Sequence, residues 1–94
     1  MHEKALMNDV IRKVVEVAYD NGGVRVVRVS VWLGALSHFT PEHFRDHFAD
    51  AARGTPAEGA EVEARLDDDP QAPNADGVVV ESVEVEPFES MEVW

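Results

Sequence analysis

The run Val24 to Leu33 constrains this chain more than any other stretch, because it sets β-branched residues in alternation. Val27, Val29, Val31 and Leu33 share one parity, and Val26, Arg28, Ser30 and Trp32 share the other. This is the pattern of a half-buried strand. The first set is expected to face a layer of helices, with Trp32 on the more open face beside Arg28. One strand cannot bury its own apolar face, so the flanking segments must supply the cover.

The preceding segment meets that need. From Lys4 to Asp20, Met7, Val10, Ile11, Val14 and Val17/Ala18 recur at three- and four-residue steps, with polar residues between them. They form one stripe of an amphipathic helix. Asn21-Gly22-Gly23 ends it, since glycine takes a left-handed C-cap conformation at little steric cost. Beyond the strand, Gly34 to Phe39 reads as a connection. Thr40-Pro41-Glu42 then starts a second helix with a capping hydroxyl, a proline at the first helical position and an acid at the positive end of the dipole. Phe44, Phe48, Ala51 and Ala52 give this helix its apolar stripe, and it is expected to run from Pro41 to about Arg53, before Gly54 and Pro56.

Two more strands follow. Glu61 to Leu66 alternates, with Val62, Ala64 and Leu66 on one side. Val78 to Glu86 changes phase, because Val78 and Val80 have the opposite parity to Val83 and Val85; a β-bulge near Glu81 and Ser82 brings all four to one face. Between these strands, Asp67 to Gly77 is polar, holds two prolines within its Pro70–Pro73 portion and reads as a solvated turn or mobile loop. The order α-β-α-β-β implies an α+β fold, a three-stranded sheet with two helices packed on one face. Residues 87–94 form a tail in which Phe88, Met91 and Trp94 recur at three-residue steps. This tail either folds onto the domain or serves as an apolar handle for a partner or a second copy of the chain.

The length of 94 residues suits one domain with a modest core. Cysteine is absent, which removes disulfides, thiolate zinc sites and cysteine nucleophiles. Net charge is −11, and all of it arises after residue 57, where one basic side chain faces twelve acidic ones. Such a surface repels phosphate backbones, so nucleic acid is not an expected partner; a cation or a basic protein surface is. No long apolar run resembles a signal peptide or a membrane span, so a cytoplasmic protein without membrane contact is expected.

The residues that can carry chemistry lie at the amino terminus and among the histidines. In Met1-His2-Glu3 the α-amine, the His2 amide and the His2 imidazole can close five- and six-membered chelate rings on one ion. A planar nitrogen array of this kind suits Ni(II) or Cu(II), with the Glu3 amide or carboxylate completing the set. The large His2 side chain is expected to keep the initiator methionine in place if translation starts there. His43 and His47, one helical turn apart, either share a metal or are boundary residues flanking the Phe44/Phe48 stripe. His38 is either a further metal ligand or an ordinary loop histidine. Asp67-Asp68-Asp69 reads as solvated acid rather than a cation site. Ser37-His38 lacks the elbow of a hydrolase nucleophile, and no phosphate loop or dinucleotide glycine pattern occurs; the chain does not read as an enzyme.

Several of these features together resemble one family. Met1-His2-Glu3 with Met7-Asn8-Asp9, the run Val29 to Ser37, Pro41-Glu42-His43-Phe44 through Phe48, Glu58 to Val62 and Ser82 to Glu86 are similar, in order and spacing, to the HypA/HybF hydrogenase nickel-incorporation proteins. The resemblance implies a non-enzymatic nickel metallochaperone that inserts Ni(II) into the large subunit of a nickel-iron hydrogenase together with a HypB-type GTPase. It implies nickel at His2, with Met1 and Glu3 as companions. The family also carries a zinc lobe built from two Cys-x-x-Cys pairs between its last two strands. Here Asp67 to Gly77 stands in that place, so no zinc is expected. That departure leaves a second reading open, a metal-independent scaffold or adaptor in hydrogenase maturation that keeps the fold and binds partner proteins.

Overall fold

The computed structural model describes residues 2–87, without the side chains of residues 2, 3, 23, 24 and 87. Met1 and the tail bearing Phe88, Met91 and Trp94 lie outside the described residues. The elements run α1 (His2–Asp20), β1 (Gly23–Leu33), α2 (Pro41–Ala52), β2 (Glu61–Leu66) and β3 (Val78–Pro87). This is the α-β-α-β-β order expected from the hydrophobic periodicity.

β1 is the central strand of a sheet ordered β2-β1-β3. It pairs with β2 in parallel and with β3 in antiparallel fashion. A parallel pair needs a crossover, and α2 provides it. α1 packs on β1 and β3, α2 packs on β2, and the two helices touch each other. The core between the layers is built from Met7, Val10, Ile11 and Val14 of α1, Val29, Val31 and Leu33 of β1, and Phe44 and Phe48 of α2. Of these, Val14, Val29, Val31, Leu33 and Phe44 are fully enclosed.

Local chemistry explains where the elements stop. At the end of α1 the Asn21 side-chain amide donates to the Val17 carbonyl at 2.8 Å, and Gly22 adopts φ 75°. These contacts turn the chain directly into β1. At the start of α2, Thr40 Oγ1 accepts the His43 amide at 3.1 Å, and Pro41 occupies the first turn. Thr40→Ala is expected to lower stability by about 1 kcal/mol, as for other lost N-caps, read as a fall in the urea midpoint; no change in midpoint would show that the cap is dispensable.

The bulge expected in β3 is present. Ser30 and Val31 are consecutive, but their partners are Ser82 and Val80, so Glu81 is the inserted residue. Val78, Val80, Val83 and Val85 consequently all pack against the core.

Two expectations are corrected. Val27 does not join the core comb: it is 41% exposed while Val26 is 1% exposed. The register shifts between Val26 and Arg28, and this second irregularity reverses the parity of the strand's first half. The Val26 amide there donates to the Pro56 carbonyl at 3.0 Å. Leu66 is 47% exposed rather than core-facing, because it ends an edge strand. Residues 67–77 are the largely solvated turn read from the sequence, with an anchorage that the sequence did not show. β2 and β3 occupy opposite edges of the sheet, so this segment crosses the end of β1 and is tied down there. The Asp67 amide donates to the Leu33 carbonyl at 2.8 Å, Gly34 to Gly77 at 2.9 Å and Leu36 to Ala75 at 2.7 Å. Ala75 is buried.

The sheet face away from the helices is polar and ion-paired. Arg28 reaches Glu61 at 3.3 Å and Glu63 at 3.5 Å, and Arg65 reaches Glu81 at 2.8 Å. Exposed pairs like these contribute at most about 1 kcal/mol each; their main effect is to match charges across the register. Trp32 is half-buried on this face, in a depression lined by Arg65, Ala72, Pro73 and Val79.

Candidate metal centre

Topology brings the chemistry-bearing segments to one end of the sheet. α1 folds straight back into β1 through a short turn, so the first turns of α1 lie near the finish of β1. A depression lined by Leu6, Asp9, Asn74, Gly77 and Val78 marks that neighbourhood, and Val78 is the sheet partner of Leu33. The connection 34–40 leaves from the same end, and α2 begins there because its crossover must return the chain for the parallel strand β2.

The terminal tripeptide is reached only in part. Met1 and the side chains of His2 and Glu3 lie outside the described residues. The backbone is informative, because α1 begins at His2. The first four amide groups of an α-helix have no carbonyl partner within the helix. The His2 and Glu3 amides can therefore change protonation without breaking a helical hydrogen bond.

The loop 34–40 is built tightly. A Cβ on Gly34 would fall 2.1 Å from the Ala75 carbonyl oxygen. Ser37 Oγ accepts the Phe39 amide at 3.4 Å, a turn contact. His38 has φ 69°, a left-handed conformation that histidine adopts more readily than most residues, and its side chain is exposed. The kink at His38 sends Phe39 inward, where it is 4% exposed and meets Phe44 edge-on with ring centroids 5.5 Å apart.

Phe39 also meets both α2 histidines, His43 at 5.5 Å and His47 at 6.5 Å between centroids. The two imidazoles are half-buried, and their Nε2 atoms lie 2.8 Å apart. One ring thus presents an Nε2 proton and the other a lone pair. Their i,i+4 spacing was visible in the sequence, whereas the wall that turns both rings inward, Phe39, is placed by the His38 kink. Among the described residues no group of three or more His, Asp or Glu side chains converges. Asp67 to Asp69 do not converge either; Asp69 accepts the Gln71 amide at 2.9 Å within its own turn. No helix among the described residues is long and apolar enough to cross a membrane.

A family model described as "Hydrogenase/urease nickel incorporation, metallochaperone, hypA" matches residues 1–70. The chain belongs to the HypA family. Among curated relatives named hydrogenase maturation factor HypA, one from Rhizobium leguminosarum bv. viciae is 40% identical over 63 residues, covering 67% of this chain and 56% of the relative. One from Chlorobaculum tepidum is 37% identical over 62 residues, covering 66% and 55%. HypA 1 of Bradyrhizobium diazoefficiens is 45% identical over 60 residues, covering 64% and 53%. The chain thus spans about half the length of the curated HypA relatives it matches. The solution structure of the Ni metallochaperone HypA from Helicobacter pylori shares the fold, with a TM-score of 0.75 at 16% identity over 90% of this chain and 97% of that one.

Proposed function

We propose that this protein is a nickel-binding accessory protein for the maturation of a nickel-iron hydrogenase, holding Ni(II) at Met1-His2-Glu3 and releasing it to the enzyme's large subunit. The observation that carries this reading is the family match over residues 1–70, which includes the terminal tripeptide. The start of α1 at His2 supports it. A cation beside the positive end of a helix dipole is unfavourable, but an amide that ionises to bind nickel turns that end into an anionic donor. The amine, the His2 imidazole and one or two amides then form the claw, with His38, on the loop at the same end of the sheet, as an additional candidate ligand. Nickel is cargo here, so ready exchange matters more than tight retention.

A HypB-type GTPase and the hydrogenase large subunit are the partners that follow from this role, and the cytoplasm is where it would be exercised. Residues 67–77 replace the family's zinc lobe in this reading, since the sequence holds no cysteine to ligate zinc. The 87–94 tail, with Phe88, Met91 and Trp94, is the surface through which two copies would associate.

Calorimetric titration of nickel into untagged protein with a native Met1 tests the proposal. His2→Ala is expected to weaken binding at least about a hundredfold, because loss of groups that merely support a ligand already costs ten- to a hundredfold. Unchanged affinity would overturn the terminal site. A His2→Ala protein that still matures hydrogenase in cells would instead favour the metal-independent adaptor.

A further inference from the structure

The free edge of β3 supports an interaction that does not depend on the terminal claw. β3 is an outer strand of 10 residues, and among the described residues no backbone hydrogen bond outside its ladder with β1 involves residues 79–86. Every second residue of an edge strand turns its N–H and C=O away from the sheet, which makes a template for another strand. The side chains along this edge are also incompletely covered. Val78, Val80, Val83 and Val85 face the helices yet remain half-buried, whereas Val29, Val31 and Leu33 of β1 are 0% exposed; α1 leaves the sheet margin partly open. A depression lined by Leu6, Val10, Val78, Val79 and Val80 lies there. Val79 also borders the hollow that holds Trp32 on the opposite face, so the bare edge runs between the two. We propose that this edge binds an extended segment of another protein as an added strand, one whose side chains alternate apolar and basic.

Charge and chain length select that occupant. On the open face β3 presents Glu81, Glu84 and Glu86, and no basic residue lies between Val78 and Pro87. Glu81 is held by Arg65 and Glu86 by Arg25. Arg28, the register partner of Glu84, turns instead to Glu61 and Glu63 on β2, which leaves Glu84 without an ion-pair partner among the described residues. A lysine or arginine on the added strand supplies one, since facing opposite charges stabilise a strand pair and facing like charges oppose it. The same rule disfavours β3 of a second copy, because two acidic strands would meet. The chain's own residues 88–94 carry Glu89 and Glu92 and no basic residue. They are also too short: a hairpin back from Pro87 spends about two residues in its turn and leaves about 17 Å of strand, against about 27 Å to Val79. On the helix side Asp9 and Lys13 both rim the depression, so apolar contact with Leu6 and the valines decides there. Main-chain bonds supply affinity and the two faces supply selectivity.

The probe is a fluorescent, capped peptide of alternating valine and lysine, long enough to span Val78 to Val85, titrated into the full chain and followed by anisotropy. It is expected to bind and to protect amides of residues 79–86 from hydrogen exchange, whereas a valine–glutamate peptide of the same length does neither. N-methylation of all the valines or of all the lysines blocks opposite edges of the peptide, so one methylated form should lose binding and the other keep it. Glu84→Lys should weaken binding about fivefold, as an attractive cross-strand pair becomes a repulsive one. Glu16→Lys, the same change of charge on the exposed side of α1, should leave it within about twofold, since salt screens distant surface charges; unchanged circular dichroism for both variants separates pairing from folding. No binding, equal binding of the two methylated peptides, or equal binding of the valine–glutamate peptide overturns the proposal. Protection of the 79–86 amides before any peptide is added does so too, because the chain's own tail or a second copy would then hold the edge.

Discussion

Gly34→Ala is expected to lower stability by about 3 kcal/mol or more, the upper end of the cost of overpacking, which in a domain of this size is a fall in Tm of at least about 10 °C. The added Cβ would stand 2.1 Å from the Ala75 oxygen, 2.4 Å from its carbonyl carbon and 2.8 Å from its Cα. All three are backbone atoms, so no side chain can rotate out of the way. The contact is also structural glue. Gly34 and Leu36 donate to Gly77 and Ala75, and these bonds hold 67–77 across the end of β1, beside the loop that leads to His38, Phe39 and α2. Gly77→Ala is the control, since its Cβ would meet only the Asn74 oxygen at 3.6 Å, an ordinary contact; it should cost less than about 1 kcal/mol, as surface substitutions usually do. Equal and small shifts in Tm for both variants would show that the two loops part easily.

That crossing segment marks where sequence and structure diverge. Periodicity reveals an element when its own residues repeat against a single buried face, which is why the Met7 to Ala18 stripe, the Thr40-Pro41 start and the Val78 to Val85 phase change could all be read directly. The bulge at Glu81 was legible because four valines had to reach one core and only an inserted residue allows it. The shift at Val27 was not, because Val26 and Val27 are both apolar and either parity satisfies the pattern. Strand pairing was hidden for a different reason. Neither β2 nor β3 states which neighbour it takes, and only their opposite edges make the solvated turn Asp67 to Gly77 a strap across β1. Its polar composition conceals the two features that anchor it, a buried Ala75 and the carbonyls of Ala75 and Gly77. The histidines follow the same rule: a four-residue spacing is visible in sequence, but the inward lean of both rings depends on Phe39, which reaches them through a left-handed residue.

The pH dependence of nickel affinity should show which groups of the terminal claw bind the metal. A free imidazole titrates near about 6.5 and an α-amine near about 7.7–8.0, and both must lose a proton before they can bind a metal. Binding at the claw should therefore weaken steeply as pH falls from about 8 to about 6, and strengthen over the same interval as it rises. Above about pH 8 the imidazole is neutral and the rest of the amine's deprotonation can add at most about twofold, so a steeper rise has to come from ionisation of backbone amides. Each amide recruited adds one released proton, so the apparent association constant should climb about tenfold per pH unit per amide between about pH 8 and about pH 9.5. Recruitment is feasible at His2 and Glu3 because a helix that starts at His2 has no carbonyl to pair with those amides; the same ionisation two turns later would break a helical bond. Chelator competition from pH 6 to pH 9.5, with the His2→Ala protein alongside, reads both slopes. A native curve that is flat above pH 8 would remove the amide nitrogens from the coordination sphere and leave the amine and imidazole as the terminal ligands. A rising curve that His2→Ala abolishes would locate ionised amides at the start of α1.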